Sequence, residues 1–178
     1  MATQKKTAAK KNSTDAIAIL TADHAKVKKL FKQFEKLHED ESDDEAEEVA
    51  KQICNELTIH ATVEEEIFYP EVRATIDDED LLDEAEVEHA TAKDLISQIE
   101  SMSISDEKYA AKVIVLGEYI NHHVEEEQNE MFPKAKKAKL DMAALGEQIL
   151  ERKKELMAEM GLDEEGDEEE AETMQRAS

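Results

Sequence analysis

Cysteine, proline and glycine are scarce in this 178-residue chain, and tryptophan is missing altogether. The single cysteine, Cys54, excludes an internal disulfide and any zinc site built from several cysteines. Because Cys54 falls among apolar helix positions, we expect a buried and inert thiol. Two prolines and four glycines are too few chain breakers for a turn-rich β fold, so the composition favours long helices.

Long apolar runs and an excess of basic residues are missing as well. No segment is apolar over the length that spans a bilayer, and the Lys-rich start lacks the apolar stretch of a secretory signal. We therefore expect a cytoplasmic location. The net charge is −24, and an acidic body repels phosphate backbones and anionic lipids. Neither nucleic acid nor a membrane surface is an expected partner.

Helix caps and apolar periodicity predict five helices in an all-α chain. Their expected spans are residues 15–38, 45 to 70 or slightly beyond, 80–101, 106–133 and 136–160. The first four should form a bundle over residues 13–135, followed by an additional C-terminal helix over residues 136–161. This last helix is broadly apolar on one side, which favours packing on the bundle over a weak homodimer. We expect disorder in the Lys-rich tail (1–12) and in the acidic tail (162–178).

Each of the first four helices carries one histidine within its apolar stripe, and two glutamates each follow a histidine by one turn. These residues are His24, His60, Glu64, His89, His123 and Glu127. Polar groups on a buried seam cost several kcal/mol unless they have partners, and such a set needs a common one. A pair of metal ions meets this need. Imidazole and carboxylate without thiolate suit iron or manganese, and suit zinc less well.

The second half of the bundle repeats the first. The His-xxx-Glu-x₅-Pro motif of His60, Glu64 and Pro70 recurs 63 residues later (123 − 60 = 63) as His123, Glu127 and Pro133. Two hairpins of one plan would bring both His-xxx-Glu pairs to one point, since residues i and i+4 share a helix face. His122 and Glu126 have the same spacing on an adjacent face, but the repeat and the apolar stripe favour His123 and Glu127.

Two other interpretations of these residues remain. A plain acidic bundle with incidental histidines would bury all these polar groups without a cation, which conflicts with the pairing of buried polar groups. A ferritin-like carboxylate site normally uses Glu-x-x-His pairs, and neither pair of this chain has that order.

The motifs resemble those of the hemerythrin-like, HHE cation-binding family over about residues 15–133. The resemblance rests on an isolated histidine, His-xxx-Glu followed by Tyr-Pro, a second isolated histidine, and His-xxx-Glu followed by Phe-Pro. It implies an antiparallel up-down-up-down four-helix bundle with a non-haem di-iron centre. Glu64 and Glu127 would bridge the two iron ions, and two imidazoles would hold each ion. Manganese and zinc are the weaker alternatives. Dioxygen, hydrogen peroxide and nitric oxide are the implied small ligands.

One position departs from the oxygen-carrying members of that family. They have a further histidine one turn after the third-helix ligand, where this chain has Lys93. One histidine fewer leaves a more open and more symmetric site, which favours peroxide breakdown or oxygen reduction in oxidative-stress defence over reversible oxygen carriage. A non-enzymatic role, sensing or storing iron, oxygen or nitric oxide, stays open. So does the question whether Lys93, Tyr69, His122 or Glu126 completes the coordination.

Overall fold

The computed structural model describes residues 15–162. The expected N-terminal tail (1–12) lies outside the described residues, as does the expected acidic tail from residue 163 onward. Between residues 15 and 162 every regular element is helical. No helix in this part of the chain has the length and apolar character needed to cross a membrane.

Five helical rods make up residues 15–162, and two of these rods contain a π-helical turn. In chain order the parts are α1 (Ala16–Glu39), α2 (Asp43–Val63) with a first π turn (Glu64–Phe68) and α3 (Tyr69–Thr75), α4 (Glu79–Glu100), α5 (Tyr109–Glu126) with a second π turn (Glu127–Met131) and α6 (Phe132–Lys137), and α7 (Met142–Glu159). Asp15 caps α1 and Asp141 caps α7, because each carboxylate accepts a bond at 3.0 Å from a first-turn backbone N–H.

Two rods run past the prolines near which the sequence predicts their ends. Pro70 lies in the first turn of α3 and Pro133 in the first turn of α6. A proline inside an α-helix removes a hydrogen bond and clashes with the preceding turn. The π turn just before each proline changes the hydrogen-bond register, since the N–H of Tyr69 donates to the carbonyl of Glu64 five residues earlier. Each proline thereby occupies a first-turn position, where its missing N–H costs little.

The first four rods form an antiparallel bundle, which confirms the predicted fold class. α1 packs against α2 and α5, and α4 packs against α5 and α2. Two apolar clusters fill the interior. Along α1, Leu20 belongs to the first cluster and Val27 to the second, and His24 lies between them. The third rod has the same order and the antiparallel second and fourth rods have it reversed, so one polar layer separates two apolar regions.

α7 packs along the outside of the bundle, on α1, α2 and the first π turn. Leu145, Ile149 and Leu156 of α7 are buried, which agrees with the packing expected from its apolar side. The helix begins at Met142 rather than at residue 136. The chain turns between α6 and α7, where Lys139 takes a left-handed φ of 59°.

Gly117 allows α5 to approach α1 closely. A Cβ atom at Gly117 would lie 3.1 Å from Cδ1 and 3.3 Å from Cε1 of Phe31. Phe31 belongs to the second apolar cluster. The absence of a side chain at Gly117 therefore sets the spacing of these two helices.

Candidate metal centre

Four imidazoles meet in the layer between the two apolar clusters. His24 Nε2 on α1 and His60 Nε2 on α2 lie 3.0 Å apart. His89 Nε2 on α4 and His123 Nε2 on α5 lie 3.1 Å apart. All four residues are buried, whereas the side chain of the neighbouring His122 is 64% exposed. Each helical hairpin thus contributes one pair of imidazoles whose ring nitrogens face a shared space.

Glu64 and Glu127 lie between the two imidazole pairs, and both are almost completely buried. Glu64 Oε2 is 3.2 Å from His60 Nε2 and 3.4 Å from His89 Nε2. Glu127 Oε2 is 3.1 Å and 3.6 Å from the Nε2 atoms of the other two histidines. Each carboxylate therefore reaches one imidazole of each pair. We call these four histidines and two glutamates the histidine layer.

The donor atoms of the histidine layer form two groups, each of which could hold a metal ion. Within each group the donor atoms lie within 4.8 Å of one another. One group comes from His24, His60, Glu64 and Glu127, and the other from Glu64, His89 and His123. Within residues 15–162 the buried atom Glu64 Oε1 has no hydrogen-bond partner, and the buried Glu127 Oε2 has none beyond its contacts with the imidazole nitrogens. Buried polar atoms without partners cost free energy, and cations among the ring nitrogens would supply the missing partners. The sequence-predicted site residues are thus all brought together.

The Nδ1 atoms of two histidines are held by acidic residues of the same hairpin. Asp23 Oδ2 is 3.3 Å from His60 Nδ1. Glu88 Oε2 is 2.8 Å from His123 Nδ1. Asp23 and Glu88 occupy the same place in the repeat, directly before the isolated histidine of each hairpin. A carboxylate at Nδ1 fixes that nitrogen as the protonated one and leaves Nε2 free to bind a metal.

The Nδ1 atoms of the other two histidines are held from the opposite hairpin. Glu65 Oε1 is 3.0 Å from His89 Nδ1. The side-chain amide of Gln128 is 3.1 Å from His24 Nδ1. Glu65 and Gln128 again share one place in the repeat, directly after the buried glutamates, but only Glu65 is charged. The sequence analysis did not predict any of the four Nδ1 partners. The acidic residue directly before each isolated histidine was a signal that could have identified two of them, Asp23 and Glu88.

Lys93 and His122 lie outside the histidine layer and pair with the outer carboxylates. Lys93 Nζ is 2.6 Å and 2.7 Å from the two oxygens of Glu65. His122 Nε2 is 3.5 Å from Glu88 and 3.4 Å from Glu126 at the surface. Neither side chain completes the inner coordination. A further contact to an outer carboxylate comes from α7, whose Lys153 Nζ is 2.5 Å from Asp23.

Tyr69 does reach the layer. Its hydroxyl oxygen is 2.9 Å from Glu127 Oε1 and 3.3 Å from His89 Nε2. In an α-helix, residues five apart point about 140° away from each other. The π turn instead places Tyr69 above Glu64, and the hydroxyl lies 3.5 Å from Glu64 Oε2. The repeat equivalent, Phe132, has no polar atom and stacks on a histidine ring.

Protons balance the buried charge when cations are absent. Burial disfavours the charged His60 imidazolium, but Glu64 and Asp23 outweigh burial and raise the pKa of His60 to about 10. Burial likewise opposes ionisation of Glu64, but His60 holds the pKa of Glu64 well below its usual range. For His123, the bond to Glu88 outweighs burial and raises the pKa. In the metal-free protein His60 and Glu64 thus form a buried ion pair.

A small cavity borders the imidazoles on the side of the second apolar cluster. Its volume is about 20 Å³, which is room for one water-sized molecule. The apolar residues of its lining include Val27, Leu57, Ala92, Ile96 and Ile120. Lys93 also contributes to the lining. A small uncharged molecule could therefore lie next to the ring nitrogens in an apolar environment.

Comparison with known proteins gives three findings. The family model described as Hemerythrin HHE cation binding domain matches residues 15–135. A curated protein from Nostoc sp., named DNA nickase, is 31% identical over 117 residues, covering 64% of this chain and 31% of that protein. This chain thus spans about a third of the length of the curated relative. The crystal structure of a hemerythrin HHE cation binding domain-containing protein from Mycobacterium kansasii matches with a TM-score of 0.66 and 21% identity, covering 82% of this chain and 88% of that one.

Proposed function

The chain belongs to the hemerythrin HHE cation-binding domain family, and from that premise we propose that the histidine layer holds two non-haem iron ions. The carrying observation is the convergence of four imidazole Nε2 atoms on two buried carboxylates. Histidine with carboxylate, in a site without thiolate, suits iron. Manganese and zinc are the alternatives that the same donors accept less well.

The inner residues divide into two metal positions in this proposal. His24 and His60 would hold one ion, and His89 and His123 the other. The carboxylates that contact both imidazole pairs would bridge the ions, which supports a coupled pair rather than two separate sites. Their negative charges would in turn be balanced by the cations, so the layer need not be protonated when it is loaded.

The reaction that we propose is peroxide breakdown or oxygen reduction, in defence against oxidative stress. When bound, the iron pair supplies Lewis acidity and redox equivalents to a small oxygen species. Burial and the neighbouring glutamates raise the pKa of Tyr69 well above its usual value, so its hydroxyl keeps a proton at neutral pH beside the layer. The apolar cavity favours small neutral molecules over anions. Peroxide breakdown balances without an external donor, since two peroxide molecules give two waters and one dioxygen. Oxygen reduction requires electrons from an external reductant.

A binding role without turnover is the second candidate. A cavity of about 20 Å³ has room for one small molecule, and this size also fits sensing or storage of oxygen or nitric oxide. Storage of iron itself, in the histidine layer, is a further role without turnover. We do not extend the activity named for the Nostoc protein to this chain. The chain covers 31% of that protein and carries a net charge of −24, which repels a phosphate backbone.

Metal analysis of protein purified from iron-replete cells tests the proposed centre. About two iron ions per chain, with an ultraviolet–visible spectrum of charge-transfer bands, are expected for a bundle-core di-iron site. His123→Ala should lose iron. His122→Ala is the matched control, since it removes the adjacent, exposed histidine of the same helix and should keep the iron. Full iron content in the His123→Ala protein would contradict the proposed site.

A peroxide-consumption assay on the iron-loaded protein separates the two candidate functions. Steady turnover that Glu64→Ala abolishes would support the enzyme. Binding of one small ligand per centre, without turnover, would support sensing or storage.

A further inference from the structure

The two proposed metal positions have matching inner donors but different outer surroundings. Each position has two imidazoles, and Glu64 and Glu127 each contact one imidazole of either position, at 3.1 Å and 3.2 Å on the side of His24 and His60 and at 3.4 Å and 3.6 Å on the other side. Outside them, the internal repeat is broken at one place. His89 Nδ1 faces the carboxylate of Glu65, whereas His24 Nδ1 faces the neutral amide of Gln128.

A carboxylate at Nδ1 makes the imidazole a stronger metal ligand than a neutral partner does. The carboxylate accepts the Nδ1 proton strongly, which raises the electron density at Nε2. An amide can accept the same proton through its oxygen once the side chain turns by 180°, which exchanges oxygen and nitrogen. That neutral bond is weaker than the charge-assisted one. His24 is therefore the weakest donor of the four.

The outer charges differ in the same direction. Around His24 and His60, the carboxylate of Asp23 is compensated by Lys153 at 2.5 Å. Around His89 and His123 there are two carboxylates, Glu65 and Glu88. Lys93 compensates Glu65, and Glu88 faces the exposed His122, near a further carboxylate. Counting carboxylates and lysines alone, the surroundings of the second position thus carry one negative charge more than those of the first.

The hydroxyl of Tyr69 adds a third difference on the same side. It lies 3.3 Å from His89 Nε2 and 3.5 Å from His123 Nε2, and it offers an oxygen atom there. The equivalent residue near His24 is Phe132, whose ring stacks on the imidazole at 5.8 Å and offers no donor atom. Three features thus distinguish the two positions.

We propose that the position at His89 and His123 binds metal more tightly than the position at His24 and His60, and fills first. This inference rests on the proposed function, because it requires that the layer holds two metal ions. Changing one outer partner of a ligand histidine typically alters metal affinity about 10- to 100-fold. We therefore expect an affinity difference of about tenfold or more between the two positions.

Cobalt(II) added in one equivalent to the metal-free full-length protein tests the inference. Anomalous diffraction from crystals of this protein gives the cobalt occupancy at each position directly. We expect most of the cobalt at His89 and His123. Gln128→Glu should shift occupancy toward His24 and His60, because it completes the repeat with a second charged partner. Asn129→Asp is the matched control: it adds the same charge on the next exposed residue and should leave the occupancies unchanged.

The possible outcomes separate this inference from the proposed function. Equal occupancies, or a preference for His24 and His60, would overturn the inference while leaving a two-metal centre intact. An unchanged preference in the Gln128→Glu protein would also overturn it, since the amide would then not set the order. Absence of any bound cobalt would overturn the proposed function together with the inference.

Discussion

Metal binding at pH 8 should release protons, because His60 of the metal-free protein is protonated at a pH where an ordinary histidine is not. In the metal-free layer, Glu64 and Asp23 raise the pKa of His60 to about 10. At pH 8 a histidine with a pKa of 10 is about 99% protonated, whereas one with a pKa of 6.5 is about 3% protonated. A metal ion requires the neutral ring, so its binding should expel about one proton from His60. His123, whose pKa is also raised, adds to this number.

Calorimetric titration of cobalt(II) into the metal-free protein measures this release. Titrations at pH 8 in two buffers with different heats of ionisation give the number of protons from the difference between the apparent binding enthalpies. The affinity itself should rise with pH, by about tenfold per pH unit for each proton released. Complete metal uptake with a proton release near zero at pH 8 would refute the description of His60 and Glu64 as an ion pair in the metal-free protein.

The same pKa gives the sign of a stability effect. Because the pKa of His60 in the folded, metal-free chain lies above its unfolded value of 6.5, its protonation stabilises the fold fully below pH 6.5. That contribution is lost as the pH rises towards 10. The metal-free protein should therefore unfold at lower urea concentration at pH 9 than at pH 6.5. The metal-loaded protein should not show this fall in stability, because its His60 is neutral throughout.

Three further predictions concern single residues. Gly117→Ala should lower the urea midpoint of unfolding. A Cβ atom 3.1 Å from Phe31 overpacks the core at a cost of about 1–3 kcal/mol, and the gain in helix propensity, roughly 1 kcal/mol, does not offset it. A raised midpoint would contradict this. Cys54, buried and with a pKa raised to about 12 by burial, should react with a thiol reagent only after urea unfolding, and rapid labelling of the native chain would be the contrary result. Asp23→Asn should weaken cobalt(II) binding about 10- to 100-fold through the lost support of His60, and an unchanged calorimetric affinity would show that this contact is dispensable.

The inner layer could be predicted because helical periodicity determines which side chains face the interior. The apolar stripes place one histidine per helix at similar depth, and the 63-residue repeat aligns the two His-xxx-Glu pairs. Register alone distinguishes His123 from His122, and the structure buries the first and exposes the second. That these residues bind metal stays a prediction. The bundle itself follows from the scarcity of helix breakers and from four amphipathic segments.

The partners of the histidine Nδ1 atoms and the contacts of Tyr69 with the histidine layer could not be predicted in the same way. Whether Glu65 or Gln128 reaches a histidine of the opposite hairpin depends on how the two hairpins pack, which no local pattern states. The position of Tyr69 depends on a π turn, and periodicity arguments assume a regular α-helix. Under that assumption a residue five positions after Glu64 points elsewhere. The sequence predicts that the second and fourth helices end near their prolines. In the structure a π turn precedes each proline, and the rod continues beyond it.

Each π turn also lets its rod hold one residue more than a regular α-helix of the same course. A one-residue deletion between Glu64 and Pro70 would let the rod become a regular α-helix, with Tyr69 four residues after Glu64 and still on the same face. Arg73, which contacts Asp83 and Glu86 of α4 at 2.9 Å and 2.8 Å, would keep its side of the rod. Pro70, however, would no longer follow a change of register and would interrupt the hydrogen bonds of a regular helix. In related chains the extra residue and the proline should consequently be present or absent together.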